Sequence, residues 1–348
     1  MKSSLAVPAF GLTAVLLIVA GCNSGGPQSQ LAPVGSTIDP ALSRLPSLSL
    51  VGGPTLYPHP KKGRSWMSAK AAPDNLMYVA DTGGGVVDVY SWRLLKQVGQ
   101  LTDVAGPYSL CVDKAQNVYV VDDVLHDVFE YAHGGAAPIR TLGDSFGFPI
   151  ACSVDPTTGN LAVTDAFGVS GGAGSVLVFA QATGTPTVYT PPNLYYDIYV
   201  GYDASGNLFV DGFDTSFAFA LAELPAGSSS FGAITTSVTI GQPGGVQWDG
   251  TYLDVGDRSI STIYQFTVSG GNATEENAIA LTGTSDIGQF FVPKFGPGTV
   301  RKEGNRVAVA DAGTGDADKY PYPAGGIPNK TITGLTTPEG VIVSKGKK

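Results

Sequence analysis

Five aspartates recur at one position of a repeated segment: Asp81, Asp122, Asp165, Asp257 and Asp311. A ring of carboxylates could hold a hard divalent cation. Turn chemistry gives a simpler role, because an Asp at the end of a strand accepts N–H bonds from the turn that follows. A residue that appears once per repeat belongs first to the repeat. Asp113, Asp155, Asp203 and Asp249 read as turn residues in the same way. Histidine is scarce: His59, His126 and His133 lie at no spacing that matches a zinc signature. The Gly-rich stretch Gly171-Gly172-Ala173-Gly174 lacks the strand-to-helix setting of a phosphate loop. The sequence therefore shows no catalytic set and calls for no cofactor, although a divalent metal on loop carboxylates is the cofactor to test. Aromatic side chains form the other candidate site. Tyr195, Tyr196, Tyr199 and Tyr202 cluster, and Trp248 follows in the next repeat. Tyr and Trp suit a surface that binds sugar or protein; the same alternation also suits packing between sheets.

The repeat sets the elements that carry these residues. An alternating strand ends in the marker position at 81, 122, 165, 212, 257 and 311. Steps of roughly 40–55 residues fit one four-stranded propeller blade each. The fourth copy is degraded, with Gly212 where the others have Asp. Turns such as Asp113-Lys114-Ala115-Gln116-Asn117 and Asp203-Ala204-Ser205-Gly206-Asn207 precede the strands, and their Asn and Gly residues tolerate positive φ. A third strand ends near an aromatic at Tyr90, Tyr131, Phe179, Phe266 and Tyr322, with Leu224 in the fourth copy. No segment reads as a long amphipathic helix. The expected fold is all-β: a six-bladed β-propeller of four-stranded antiparallel blades over 66–348. The segment Pro338-Glu339-Gly340-Val341-Ile342-Val343 is expected to close the ring beside the first strands; a seventh, incomplete blade is the alternative.

The first residues address the compartment. Lys2 precedes an apolar run from Leu5 to Ala20, broken by Pro8 and Gly11. It is short for a membrane span and has the form of a signal peptide over 1–21. The run ends in Val19-Ala20-Gly21-Cys22, which resembles a bacterial lipobox with Cys22 as the lipidation site. Residues 22–65 then form a flexible tether rich in Ser, Gly, Pro and Gln. The expected location is the cell envelope, lipid-anchored on the extracytoplasmic side, with the membrane as a partner through the lipid alone. Cys111 and Cys152 remain for an oxidising compartment. Their one-residue offset relative to Asp113 and Asp155 turns the side chains to opposite faces and counts against a bridge. A disulfide and two buried free thiols both stay open.

Charged residues make up 14 % of the chain and the net charge is −9. A nucleic-acid partner is excluded, since no basic stripe is present. The pattern of Asp, Gly-Asn, alternating strand and Asp, as in Asp203-Ala204-Ser205-Gly206-Asn207-Leu208-Phe209-Val210-Asp211, resembles NHL-type repeats. More loosely it is similar to gluconolactonase-like and virginiamycin-B-lyase-like propellers, and with its lipobox the chain resembles propeller lipoproteins of soil bacteria. The NHL resemblance implies the propeller. The gluconolactonase resemblance implies a channel-mouth metal, for which Asp122, Asp123, Asp165, Asp214 and Asp257 are the carboxylates at hand. The lyase resemblance implies a His pair, for which no matching positions exist. The function expected is a binding or scaffold module for a protein or glycan; the alternative is a metal-dependent lactonase- or lyase-like enzyme.

Overall fold

The computed structural model describes residues 63–143, 146–167, 172–294 and 305–346. The signal peptide, Cys22, His59 and most of the tether lie outside these residues. The fold is all-β. A closing sheet contains β1 (Trp66–Met67), β2 (Leu76–Asp81), β3 (Val86–Ser91) and β4 (Gln97–Leu101). A second contains β5 (Pro107–Val112), β6 (Val118–Asp122), β7 (Asp127–Tyr131) and β8 (Pro138–Leu142). A third contains β9 (Pro149–Val154), β10 (Leu161–Asp165), β11 (Ser175–Phe179) and β12 (Thr187–Tyr189). Next come two antiparallel meanders. One is β13 (Tyr196–Tyr202), β14 (Leu208–Phe213), β15 (Phe219–Leu224) and β16 (Gly232–Thr236). The other is β17 (Pro243–Trp248), β18 (Leu253–Asp257), β19 (Thr262–Ser269) and β20 (Asn272–Ala280). Parallel pairing of β16 with β20 joins these two into one eight-stranded sheet. The long β19–β20 hairpin thereby covers an edge that would otherwise be open to other chains. The last sheet contains β21 (Ile287–Phe291), β22 (Arg306–Asp311), β23 (Asp316–Pro321) and β24 (Lys330–Ile332).

The strand β25 (Pro338–Ser344) does not start another meander. It pairs antiparallel with β2, so the closing sheet has the order β1-β4-β3-β2-β25. This is the closure expected from the repeat of Pro338–Val343. Lys319 on β23 stacks 4.0 Å from the Trp92 ring and so ties the last sheet to the closing one.

The core lies between neighbouring sheets. One cluster packs Leu76, Tyr78 and Ile342 against Leu110, Val120 and Phe129. Another packs Tyr119 and Val121 against Leu161, Val163 and Phe179. The last packs Ala308, Ala310 and Ala317 against Met77, Val79 and Val341, which returns the series to the closing sheet. Strand β2 is buried along its whole length. Its even residues pack toward the second sheet and Met77 and Val79 toward the last one, so a strand between two packed faces needs the continuous apolar run seen at Met77–Ala80.

The marker aspartates fasten the strands. Asp122 accepts N–H bonds from Ala105 at 2.6 Å and Gly106 at 3.0 Å, before β5, and from Val124 and Leu125 in its own turn. Asp81 holds Thr336 and Thr337, Asp257 holds Gly241 and Gln242, and Asp311 holds Ser285 and Asp286 in the same way. Asp165 binds the Gly147 and Phe148 amides. The carboxylates face backbone donors and not one another.

The fourth copy exchanges partners. Gly212 pairs with Asp197, whereas Asp122 pairs with Pro107 and Asp257 with Pro243. A Cβ at Gly212 would overlap the Tyr196 carbonyl oxygen, so the marker position cannot carry Asp here. Gly212→Ala is expected to cost about 1–3 kcal/mol through backbone displacement, measured by urea unfolding; an unchanged midpoint would show that the strand pair yields freely. The aromatic of the last sheet also needs correction. Tyr320, opposite Val307, takes the place that Tyr131 takes opposite Val118, and Tyr322 lies beyond β23.

Candidate binding site at the mouth of a plugged axis

The strands β5, β9, β13, β17, β21 and β25 are successive neighbours and line the axis, and the pairings of β5, β13 and β25 with the strands behind them are bulged. Arg258 leaves the turn after β18 and is 1 % exposed. Its guanidinium donates to Glu339 on β25 at 2.9 Å, to Asp286 at 2.6 Å and to the Tyr199 hydroxyl on β13 at 3.0 Å. Tyr108 on β5 is fully buried, and its hydroxyl, Arg258 Nη2, Glu339 Oε1 and Asp123 Oδ1 have no protein hydrogen-bond partner. Gln289 on β21 spans to β5, accepting from Leu110 N at 3.1 Å and donating to Leu110 O at 2.6 Å. A polar plug thus crosses the axis. Neither Arg258 nor Glu339 was singled out by sequence reasoning. The one signal was their place: Arg258 follows a marker Asp and Glu339 follows the Pro that opens an inner strand.

Beyond the plug, where the inner strands end, a cavity of about 480 Å³ opens. Tyr202, Gln247, Trp248, Lys114, Lys294 and Lys345 supply its polar and aromatic lining. The indole N–H of Trp248 is buried without a partner. Gln247 is spent on Val292, accepting its N–H at 2.8 Å and donating to its carbonyl at 3.2 Å.

The structure divides the five aromatics. Tyr202 and Trp248 line the cavity and Tyr199 belongs to the plug. Tyr195 and Tyr196 sit at the opposite end of β13, with ring centroids 4.8 Å apart. There Tyr196 also packs on Phe167 at 5.1 Å and Phe217 at 5.4 Å. One strand carries them to two ends of the axis, so they form no single platform.

Cys111 and Cys152 line the cavity wall, with sulfurs 2.09 Å apart and Cα atoms 5.6 Å apart, as a disulfide. The parity argument fails for a physical reason. Adjacent sheets meet through opposite faces, so a bridge between β5 and β9 needs side chains of opposite parity. The one-residue offset is what places both sulfurs in the same intersheet core.

Among the described residues no three His, Cys, Asp or Glu side chains converge as a metal-binding group. Asp122, Asp165 and Asp257 are held by amides, and Asp214 caps its own turn through Ser216 N at 2.7 Å and Ala218 N at 3.0 Å. His133 ties β25 to the second sheet through Ser344 Oγ at 2.6 Å, and His126 packs edge-on against Phe148.

Burial pushes the Asp197 carboxyl up to about 8, with the Asp165 charge adding to it. Burial also pushes Asp123 up to about 8, helped by Asp122 and Glu339. These groups hold protons in the folded protein at pH values where the unfolded chain has lost them. Their contribution to stability is therefore full below pH 4 and falls as pH rises toward 8. Asp197→Asn mimics the protonated acid without titrating. Urea unfolding across pH 4–8 is expected to show a shallower decline for this variant than for the parent; parallel curves would place the Asp197 pKa in its ordinary range.

No family model matches the chain. A solved structure titled as the nidogen/laminin complex contains a chain with a TM-score of 0.61 and 13 % identity. The similarity covers 79 % of this chain and 99 % of that one. The fold is a β-propeller. Its meanders are blades, the plug fills the propeller axis, and the cavity is one mouth of the central channel. Peptidyl-glycine alpha-amidating monooxygenase A of Xenopus laevis is 34 % identical over 91 residues, which is 24 % of this chain. The chain spans only 10 % of that relative's length.

Proposed function

We propose that this β-propeller is six-bladed, is carried outside the cytoplasm by a lipid on Cys22, and binds a protein or glycan in its channel mouth. The cavity carries this reading: about 480 Å³ of space, walled by inner strands and holding Trp248 and Tyr202 beside three lysines. That volume lies in the range of ligand pockets. The similar chain comes from a nidogen/laminin protein complex, which agrees with a binding role without identifying a partner. A metal-dependent lactonase or lyase is the weaker reading, because the Arg258 guanidinium occupies the axis and is paired with Glu339 and Asp286 where a cation would sit. The test is binding of the purified protein to arrays of envelope and matrix glycans and to purified envelope proteins. A ligand whose affinity falls at least tenfold in Trp248→Ala supports the mouth as the site. Ligands bound equally well by parent and variant would remove it.

A further inference from the structure

Three lysines at the mouth stand out in a chain with 20 basic and 29 acidic residues. Lys114 and Lys294 are exposed and Lys345 is half-buried. The one acidic side chain among the described lining residues, Asp113, is turned to its own turn, accepting from Asn117 N at 2.7 Å and Asn117 Nδ2 at 3.0 Å. The rim has an order. Tyr202 ends β13, Trp248 ends β17, Lys294 follows β21 and Lys345 follows β25. These elements are successive neighbours around the axis, so two aromatics and two ammonium groups form one arc. Lys294 reaches the turn that follows β17: its Nζ lies 3.6 Å from where a Cβ would stand on Gly250. Burial lowers the Lys294 pKa first of all; Asp249 and Asp254 attract its charge and Lys345 repels it. Of those carboxyls, burial pushes Asp254 up to about 8, and the Tyr322 hydroxyl oxygen lies within hydrogen-bond distance of both, 2.7 Å from Asp249 and 2.6 Å from Asp254. Lys345 is near enough to repel the Lys294 charge, and among the described lining residues no acid pairs with it.

We infer, building on the binding role proposed above, that the mouth recognises an acidic glycan: a uronic acid whose ring stacks on Trp248 and whose carboxylate lies between Lys294 and Lys345. The apolar C–H face of a pyranose fits the face of the half-buried Trp248 indole that lines the cavity. A peptide fits less well. A peptide that adds as a strand needs free backbone edges, whereas the inner strands here spend theirs on Gln247, Gln289 and Ser153.

The test is isothermal titration of the purified protein with di- and trigalacturonic acid and with their neutral methyl esters. The acids are expected to bind at least tenfold more tightly than the esters, and higher salt should narrow the gap. Lys294→Gln and Lys345→Gln should each weaken the acid at least tenfold and leave the ester within about twofold. Their melting temperatures should match the parent, since both side chains reach solvent. Trp248→Ala should weaken acid and ester together. Equal binding of acid and ester overturns the acidic specificity and leaves the mouth as a neutral-glycan site. Binding of an acidic or C-terminal peptide with no sugar bound overturns the glycan class. If no glycan and no peptide responds to Trp248→Ala, the binding role of the mouth fails with it.

Discussion

Arg258→Met is expected to lower the unfolding free energy by about 3–5 kcal/mol, because it leaves Glu339 buried without its cation. Arg258 and Glu339 are each 1 % exposed, and one Glu339 oxygen already has no partner. The remaining partners cannot take over. Asp286 carries the same sign as Glu339, and the Tyr199 hydroxyl reaches Arg258 at 3.0 Å but makes no bond to the carboxylate. The double variant Arg258→Met/Glu339→Met should recover most of the loss, since two apolar side chains of similar size replace a buried pair at little net cost. Urea unfolding of the parent, both single variants and the double variant checks this as a cycle. A single variant that costs under about 1 kcal/mol would mean that solvent reaches the axis.

Loss of the Cys111–Cys152 bridge is expected to cost about 2–4 kcal/mol, from the freedom that the intervening chain regains on unfolding. The two cysteines are 41 residues apart, nearly the span of one repeat. Cys111→Ser/Cys152→Ser and reduction of the parent should give the same loss, and reductant should leave the double variant unchanged. The bridge also stands in the cavity wall, so its removal should weaken ligand binding by loosening β5 from β9. Unfolding curves with and without reductant decide the matter; coincident curves for the parent would show free thiols.

The periodic parts of the fold were legible because they follow from local chemistry. Asp122 and Gly206 announce turns, and alternation at Val118–Val121 announces a strand that must be buried. Closure by β25 was legible because Pro338–Val343 repeats the form of an inner strand with no meander left to build. The axis was not legible. Arg258 looks like a loop residue, and only the folded arrangement brings it to Tyr199 and Glu339, 59 and 81 residues away in the chain. The aromatics were read as one cluster because they are close in sequence. A strand crosses the molecule in seven residues, so Tyr196 and Tyr202 end at opposite faces. The Cys111–Cys152 bridge was open in the sequence, and only the parity objection to it fails, for a related reason: parity was judged within one sheet, while the bridge joins two.

The pairing of β2 with β25 also sets the order in which the molecule can assemble. Thr337 N–H reaches Asp81 across 256 residues of chain. Local hairpins form early, whereas this contact must wait for an entropically costly loop to close. Until it does, β2 presents a bare edge to whatever strand is nearby, including β25 of another molecule. Two chains that meet at that stage can trade this strand and become an interlocked pair. Single-chain assembly wins only while ring closure is faster than encounter, so concentrated refolding is expected to raise the yield of such exchanged pairs and dilution to suppress it.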